Sequence, residues 1–424
     1  MGSLRGNAII GQSGGPTVVI NQSLVGVIEA AADRPEIEHL LGARFGVRGI
    51  LKEDFADLFR ESSATLEAVA RTPSAALGST RDKPSAEECS RMFEVMERYN
   101  VRYFFYIGGN DSAETASIVN AAAAQAGYEL RCLHIPKTVD NDLLVTDHCP
   151  GYGSAARYVA SAFIGDDLDS RALPGVKIDV CMGRHAGFLT AASALGRTRD
   201  DDGPHLIYLP EVPVTREQFR DEVLEVYERL GRCVVAVSEG IHDADRPGKD
   251  GPMTFTEVAL EELKAQGPET SQHGNIQLSG SGMLGDWLAE CVRAALKDQL
   301  QIKSPRVRAD TFGYCQRSYP GAVSEVDALE ARTCGRKAVE IATEADLDGS
   351  VVLVRTGNGA SYGVEYARAD LSRLARNTKV MPDEFILPDE RFVTPAFLEY
   401  ARPLVGQLPS VAHLEGVPFN NASG

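Results

Sequence analysis

The sequence predicts an α/β protein with two doubly wound, mostly parallel α/β subdomains and an active site in the cleft between them. Short apolar runs that predict strands alternate with helical patterns, and this alternation is typical of parallel sheets. Polar and charged residues gather where the apolar runs end, and open α/β sheets bind ligands beyond the carboxyl ends of their strands. The 424 residues exceed what one hydrophobic core usually supports, which favours two subdomains.

The composition disfavours several classes of function. An apolar fraction of 43% allows a full core, while a net charge of −17, from 43 basic and 60 acidic residues, disfavours nucleic acid as the main partner. No apolar run reaches membrane-spanning length and no signal-peptide pattern is present, so we expect no membrane partner. The eight cysteines show no C-x-x-C spacing, which disfavours a zinc or redox motif and makes a reducing cytoplasm the expected location.

The first predicted strand leads into a glycine turn. Residues 7–15 form an apolar run that ends in Gly14 and Gly15, and Pro16 stands where a helix over 18–32 would begin. A helix amino terminus after such a turn can bind an anion, because its free N–H groups and its dipole face the ligand. The spacing is neither G-x-G-x-x-G nor a P-loop, so an ordinary tight turn of a parallel sheet is an equal alternative here.

A polar loop and a short helix follow. The loop ends in Arg81, which is either a solvated surface arginine or part of an anion site. Ser85 and Glu88 have the spacing of a capping box, which predicts a helix over 85–99.

A second strand–turn–helix unit carries more polar residues at its turn. The β-prone run 101–107 is followed by two glycines and then by Asn110, Asp111 and Ser112. A helix cap explains a single Asn or Asp. Two such residues after a glycine pair favour a role in binding phosphate or metal.

The residues after the apolar run 131–135 are the most informative part of the sequence. Lys137, Thr138, Asp140 and Asp142 arrive together at a predicted strand end. A lysine can hold a phosphate, and aspartates can serve as a general base and as a metal ligand. Carboxylates beside phosphates need a divalent cation between them, so we expect Mg²⁺ as the cofactor.

Two further strand ends and an arginine-containing stretch complete the polar set. Met182 and Arg184 follow one predicted strand, Glu239 follows another, and residues 306–317 hold three arginines in a polar strand or loop. These groups favour phosphoryl transfer. Hydride transfer lacks its dinucleotide motif, and acyl hydrolysis lacks a G-x-S-x-G turn.

Five motifs, in this order, resemble those of the phosphofructokinase family: Gly-Gly-Asn-Asp-Ser, Pro-Lys-Thr-Val-Asp-Asn-Asp, Met-Gly-Arg-His-Ala-Gly, Ser-Glu-Gly and Gly-Tyr-Cys-Gln-Arg. The resemblance implies that the phosphoryl donor binds to one subdomain and fructose 6-phosphate to the other. We expect the donor subdomain to comprise residues 1–147 and about 318–346, and the sugar-phosphate subdomain to comprise 148–317 and about 347–366. Residues 367–424 are expected to form a C-terminal surface extension.

The resemblance also implies roles for individual residues. Asp140 is implied to be the base that takes the proton of the sugar's 1-hydroxyl, with Lys137 and Thr138 as further catalytic residues. The implied donor side comprises Gly14, Gly15, Arg81, Asp111, Ser112 and Lys137. The implied sugar-phosphate side comprises Thr138, Met182, Gly183, Arg184, Glu239, Arg308, Tyr314 and Arg317. Asp111 and Asp142 are the implied metal ligands, while the uncharged Asn110 stands where many members have a metal-binding aspartate.

Two replacements bear on the donor. ATP-using members carry glycines where this sequence has Asp111 and Lys137, and both replacements resemble the pyrophosphate-dependent members. Asp111 adds bulk and negative charge where the α-phosphate of ATP would pass, and Lys137 offers an ammonium to compact pyrophosphate. We therefore expect reversible, Mg²⁺-dependent phosphoryl transfer from pyrophosphate to the 1-hydroxyl of fructose 6-phosphate. An ATP-dependent enzyme and a non-catalytic sugar-phosphate sensor of the same fold are the alternatives.

The family pattern also implies an assembly. The residue that matches Arg308 reaches in from a neighbouring subunit, which implies a homo-oligomer, either a dimer or a tetramer. One departure lies on the sugar-phosphate side, where Gly175 replaces an arginine that many relatives carry.

Overall fold

The computed structural model describes residues 4–249, 251–265, 282–374 and 378–414, without the side chains of residues 263 and 265. Across these residues the strands are β1 (Gly6–Gln12), β2 (Ile37–Ala43), β3 (Phe55–Asp57), β4 (Val101–Gly108), β5 (Arg131–Pro136), β6 (Val176–Cys181), β7 (Leu206–Tyr208), β8 (Cys233–Ser238), β9 (His242–Pro247), β10 (Pro252–Thr254), β11 (Val307–Thr311), β12 (Gly349–Gly357), β13 (Gly363–Ala369), β14 (Ile386–Leu387) and β15 (Phe392–Val393).

The helices of the same ranges are α1 (Ile20–Ala32), α2 (Val47–Lys52), α3 (Ser63–Ala70), α4 (Ala86–Arg98), α5 (Asn110–Ala126), α6 (Tyr152–Ala172), α7 (Phe188–Ala191), α8 (Arg216–Leu230), α9 (Phe255–Ala265), α10 (Met283–Asp298), α11 (Cys315–Ser318), α12 (Glu325–Thr343), α13 (Leu371–Leu374) and α14 (Pro395–Val405). The predicted capping box of α4 is present, because Ser85 N donates to Glu88 Oε2 at 2.8 Å and Glu88 N donates to Ser85 Oγ at 3.2 Å. Among the described residues, the helices lack the combination of length and apolar character that a membrane crossing requires.

Two main sheets organise the chain. The first has the order β13-β12-β5-β4-β1-β2-β3 and is parallel except at its two edge strands. The second has the order β11-β6-β8-β7 and is parallel throughout. Apolar side chains pack on both faces of each sheet, as expected for doubly wound parallel sheets. This architecture confirms the predicted mixed α/β class with mostly parallel sheets.

One expected boundary differs from the structure. Residues 347–366 were expected in the second subdomain, but β12 and β13 extend the first sheet. Gly349 pairs in register with Leu133 of β5, and Ser350 pairs with His134. The pairing joins segments more than two hundred residues apart, so no local pattern in the sequence specifies it.

The expected surface extension is also different in the structure. Within residues 378–405, several apolar side chains are buried in the same core as α6 and the face of the second sheet. Phe397 is fully buried and Leu404 nearly so, both on one face of α14. The segment is therefore an integral layer of the fold, because the amphipathic α14 needs a partner for its apolar face.

Helices α1 and α12 pack with their backbones in unusually close contact. A Cβ atom on Gly26 would lie 2.0 Å from the carbonyl oxygen of Arg332, and one on Gly335 would lie 2.2 Å from the carbonyl oxygen of Ser23. Glycine at both positions lets the helices approach, which fixes α12 against the first sheet.

We expect Gly26→Ala to lower the thermal unfolding midpoint, because the methyl group has no room and overpacking typically costs about 1–3 kcal/mol. The matched control is Gly165→Ala in α6, where a Cβ meets nothing within 4 Å. Alanine there should stabilise slightly, by roughly 0.5–1 kcal/mol. Calorimetry on both variants checks the expectation, and equal midpoints for the two would contradict it.

Candidate active site

A cleft of about 360 Å³ lies where the carboxyl ends of β1, β4 and β5 face those of β6 and β8. Parallel strands bring loops that are distant in sequence to one edge, so this position follows from the topology. Most of the predicted site residues line the cleft: Gly14, Gly15, Arg81, Asp111, Ser112, Lys137, Thr138, Asp140, Asp142, Met182, Arg184, Glu239 and Arg317. Gly183, Arg308 and Tyr314 are not part of the lining.

Lys137 lies at the base of the donor side. Its side chain is buried, and Nζ donates to the carbonyl oxygen of Gly15 at 2.6 Å. A Cβ on Gly14 would stand 3.3 Å from the same Nζ, and Gly14 has a φ of 76°. Burial lowers the pKa of Lys137 to about 8, and the positive charges of Arg317 and Arg81 add to the shift.

Arg317 shares this side of the cleft. A Cβ on Gly15 would lie 2.6 Å from Arg317 Nη1, so the absence of a side chain at Gly15 makes room for the guanidinium. The family resemblance implied that Arg317 belongs to the sugar-phosphate side, whereas in the structure its guanidinium lies against the glycine turn. Three cationic side chains therefore lie around the glycine turn, those of Arg317, Arg81 and Lys137.

Asp140 carries the strongest sign of a chemical role. It is half-buried, and its Oδ1 has no hydrogen-bond partner among the described residues. Its backbone N donates to Thr138 Oγ1 at 3.2 Å, which holds the turn. Burial raises the pKa of the Asp140 carboxyl, and the carboxylates of Asp142 and Glu239 raise it further. A carboxyl with a raised pKa in a cleft is suited to accept a proton.

Asp142 and Asn110 form a hydrogen bond across two strand ends. Asn110 Nδ2 donates to Asp142 Oδ2 at 2.7 Å, and Asn110 Oδ1 is buried without a partner within the described ranges. In those ranges no three His, Cys, Asp or Glu side chains are close enough together to hold a metal by themselves. Mg²⁺ commonly takes one or two carboxylates from a protein and its other ligands from phosphates and water. Asp142 and the free oxygen of Asn110 fit that manner of binding.

Asp111 lies at the amino terminus of α5, on the outer rim of the cleft. Its side chain is 58% exposed and forms an ion pair with Lys83, Nζ to Oδ1 at 2.8 Å. Lys83 also contacts Glu114 at 2.6 Å. Asp111 therefore places a carboxylate at the rim of the cleft, where Lys83 offsets its charge, and its part in the choice of donor stays a prediction.

The second sheet supplies the opposite wall. Met182 N donates to Gln316 Oε1 at 3.1 Å, and Ser238 Oγ donates to the carbonyl oxygen of Gly183 at 2.6 Å. Gly183 has a φ of 130°, and a Cβ there would lie 2.5 Å from the carbonyl oxygen of Ala186, so only glycine fits this turn. The turn leads to Arg184 and so presents a cation opposite Asp140 and Glu239, whose charges it offsets.

Two predicted sugar-phosphate residues lie outside the cleft. Arg308 is exposed on β11, the edge strand of the second sheet, and donates to the carbonyl oxygen of its neighbour Val307. Tyr314 is 41% exposed, with the guanidinium of Arg317 4.3 Å above its ring. Their roles in binding the sugar phosphate stay predictions.

Thr378 lines the cleft and was not found by sequence reasoning. It forms an antiparallel bridge with Leu143, directly after the turn that carries Asp140 and Asp142. Thr378 belongs to the segment in which the hydrophobic pattern weakens, so no signal in the sequence marks it. His185, Pro16 and Val139 also line the cleft.

Comparisons with known proteins agree with this geometry. The family model described as phosphofructokinase matches residues 7–342. A pyrophosphate–fructose 6-phosphate 1-phosphotransferase of Rhodospirillum rubrum is 52% identical over 403 residues, 95% of each chain. One of the same name from Xanthomonas campestris is 37% identical over 98% of this chain and 95% of its own. The crystal structure of a pyrophosphate-dependent phosphofructokinase from Nitrosospira multiformis matches with a TM-score of 0.81 at 33% identity, covering 97% of this chain and 95% of its own.

The chain therefore belongs to the phosphofructokinase family. The match spans most of its length and includes the second main sheet, strands β1 to β5 of the first, and every lining residue of the cleft named above except Thr378.

We expect the anion affinity of the cleft to depend on the charge of Lys137. Sulfate is a suitable probe, because its charge does not change over the range tested. With a pKa of about 8, Lys137 loses its proton as the pH rises from about 7 to about 9, so sulfate affinity should fall by about tenfold. Calorimetric titration of the protein with sulfate measures this change.

Two variants isolate the lysine in that titration. Lys137→Met should bind sulfate weakly at both pH values, because no ammonium remains. Lys337→Met removes an ammonium that contacts Glu340 on α12 and should behave like the unchanged protein. Ionisation of Asp140 in the same cleft contributes to the pH dependence of both proteins. A fall in sulfate affinity as large in Lys137→Met as in the unchanged protein would refute the assignment.

Proposed function

We propose that this chain transfers a phosphoryl group from pyrophosphate to the 1-hydroxyl of fructose 6-phosphate in a reversible, Mg²⁺-dependent reaction. The products are fructose 1,6-bisphosphate and phosphate. The observation that carries the proposal is the buried ammonium of Lys137 at the glycine turn, beside Arg81 and Arg317. These cations suit a compact and highly charged donor. The names of the relatives from Rhodospirillum rubrum and Xanthomonas campestris support the same donor and acceptor.

The proton of the attacking hydroxyl goes to Asp140. A neutral hydroxyl attacks phosphorus poorly, and the free Oδ1 of Asp140 is a carboxylate oxygen without a competing partner in the described structure. The new bond joins the sugar oxygen O1 to phosphorus, while the bridging P–O bond of pyrophosphate breaks and phosphate leaves with the electron pair. Thr138, whose hydroxyl already accepts from Asp140 N, orients the turn and faces the sugar.

The donor end stabilises charge on the transferred group. Lys137, Arg81 and Arg317 contact the phosphate oxygens, together with the backbone around Gly14 and Gly15 and the amino terminus of α5 at Ser112. Asp142 would hold Mg²⁺ with Asn110 beside it, and Asp111 would join them once its carboxylate leaves the ion pair with Lys83. When bound, the cation neutralises phosphate charge and aligns the donor.

The sugar phosphate binds along the second sheet. Met182, Arg184 and Glu239 line this wall, Gly183 shapes the turn between the first two, and Thr138 meets the wall from the first sheet. Arg308 and Tyr314 complete it in a cytoplasmic homo-oligomer, a dimer or a tetramer, in which Arg308 belongs to the site of the adjacent subunit. The exposed position of Arg308 on an edge strand supports this arrangement.

The donor preference is tested by measuring turnover with pyrophosphate and with ATP on the same preparation. We expect kcat/KM for pyrophosphate to exceed that for ATP at least about a hundredfold, because Asp111 and Lys137 each disfavour ATP and favour pyrophosphate. This ratio corresponds to a difference of about 2.7 kcal/mol in transition-state stabilisation. The double variant Asp111→Gly, Lys137→Gly should lose efficiency with pyrophosphate by a similar factor. Faster turnover with ATP in the unchanged chain would establish the ATP-dependent alternative instead.

Asp140→Asn should lower kcat in both directions by at least about a thousandfold, because the base is lost while the shape of the turn is kept. Binding of fructose 6-phosphate, followed by calorimetry, should stay within about threefold of the unchanged value, or about 0.7 kcal/mol. If the variant retains turnover, Asp140 is not the base. If the unchanged chain binds the sugar phosphate but turns over neither donor, the non-catalytic sensor is the correct function.

A further inference from the structure

The short segment 378–381, called the strap below, crosses from the first sheet's side of the cleft to the second's. At its start, Thr378 pairs with Leu143 beyond the end of β5 and lines the cleft. At its end, Met381 is buried among residues of the second sheet and α14. The strap thus contacts both walls within four residues.

The strap holds the loop that carries the proposed base and metal ligand. Lys379 N donates to the carbonyl oxygen of Asp142 at 2.7 Å. Lys379 Nζ donates to the carbonyl oxygens of Asp147 at 2.8 Å and Thr146 at 3.3 Å. These three bonds close both ends of the loop 142–147 onto one residue.

Glu211 joins the strap to the opposite wall. Its Oε1 accepts from Met381 N at 2.9 Å and from Gly187 N at 3.0 Å. Gly187 ends the turn that begins with Met182 and Gly183. A single carboxylate oxygen therefore connects the sugar-phosphate turn to the strap, and through Lys379 to Asp142.

Tyr400 on α14 fixes the same loop from behind. Its hydroxyl accepts from Asn141 Nδ2 at 2.8 Å and donates to the carbonyl oxygen of Asp147 at 3.1 Å. Asn141 stands between Asp140 and Asp142 with a φ of 58°, a left-handed conformation that asparagine tolerates better than most residues. Its Oδ1 accepts from Cys149 N at 3.0 Å, so the side chain is held at both polar ends.

We propose that Tyr400 and Glu211 are positioning residues, which act through the strap and the left-handed Asn141 to set the distance between Asp140 and the sugar-phosphate wall. The inference rests on the function proposed above. In-line transfer requires the hydroxyl, the base and the donor phosphorus to be aligned within a fraction of an ångström, and small displacements cost large factors in rate. The hydrogen bonds that join both walls of the cleft through the strap meet this requirement.

Tyr400→Phe tests the first residue, because it removes one hydroxyl and keeps the packed ring. We expect kcat to fall by roughly tenfold to a hundredfold while KM for both substrates stays within about twofold. Amide hydrogen exchange in residues 138–149 should become faster. The matched control is Tyr128→Phe, which removes a hydroxyl that donates to the carbonyl oxygen of Val101, away from the cleft, and should change neither kcat nor that exchange.

Glu211 is tested with a pair of variants. Glu211→Ala removes both bonds and should lower kcat as in Tyr400→Phe, with faster exchange in residues 183–188. Glu211→Gln keeps an acceptor oxygen for Met381 N and Gly187 N and should restore kcat to within about threefold. Equal kcat values for the alanine and unchanged proteins would overturn the proposal, as would a loss that glutamine does not rescue.

The exchange measurement separates this inference from the proposed function. If the unchanged chain has no activity with pyrophosphate and fructose 6-phosphate, the proposed function fails. Faster exchange at residues 138–149 in Tyr400→Phe and at residues 183–188 in Glu211→Ala would still show that the two side chains hold these segments. If activity is present and both exchange and kcat are unaltered in Tyr400→Phe and Glu211→Ala, the strap inference alone fails. Thermal midpoints within about 3 °C of the unchanged chain show that the comparison is made between folded proteins.

Discussion

The site depends on a lysine ammonium that is buried at the carboxyl edge of a parallel sheet. Removing a charge from water is costly unless polar groups replace the solvent, and Lys137 has one carbonyl oxygen, that of Gly15, in direct contact. Arg81 and Arg317 add positive charge to the same loop instead of offsetting it. The carboxylates of Asp140 and Asp142 stand farther along the strand end, so charge is separated across the cleft. An anion next to Lys137 and a cation next to Asp140 and Asp142 would balance the charges on both sides of the cleft. A phosphoryl donor and its Mg²⁺ supply these two charges.

The parts of the site that sequence reasoning could locate are those built from contiguous residues. The turn at Gly14 and Gly15, the polar residues after β4 and the cluster from Lys137 to Asp142 each follow an apolar run directly, so a strand–turn–helix pattern was enough to place them. The capping box of Ser85 and Glu88 was predictable for the same reason. The resemblance to a family then supplied roles that residue types alone leave open, since a lysine beside two aspartates does not specify its substrate.

The parts that could not be predicted are joined by contacts without a signature in residue type. The pairing of β12 with β5 uses backbone groups of Gly349 and Ser350, and the backbone N–H groups of Lys379 and Met381 hold the strap to Asp142 and to Glu211. Any non-proline residue can make such bonds. Because the hydrophobic pattern weakens after residue 367, the sequence did not indicate that the strap lies against the cleft. The place of the Arg317 guanidinium against the glycine turn has no signature for a related reason, because it depends on the space beside Gly15.

The two kinds of contact differ in how they respond to substitution, and this difference identifies the residues on which the cleft geometry rests. Backbone bonds such as Lys379 N to Asp142 O persist when the side chain changes, so residue 379 is tolerant at that contact. Besides the ammonium of Lys379, Glu211 and Tyr400 are the points at which the connection between the walls passes through side chains. Neither touches the cleft, yet each holds a turn that does, Glu211 the one after Met182 and Tyr400 the one around Asn141. Distance from the reacting atoms is therefore a poor guide in this fold to which side chains govern the reaction.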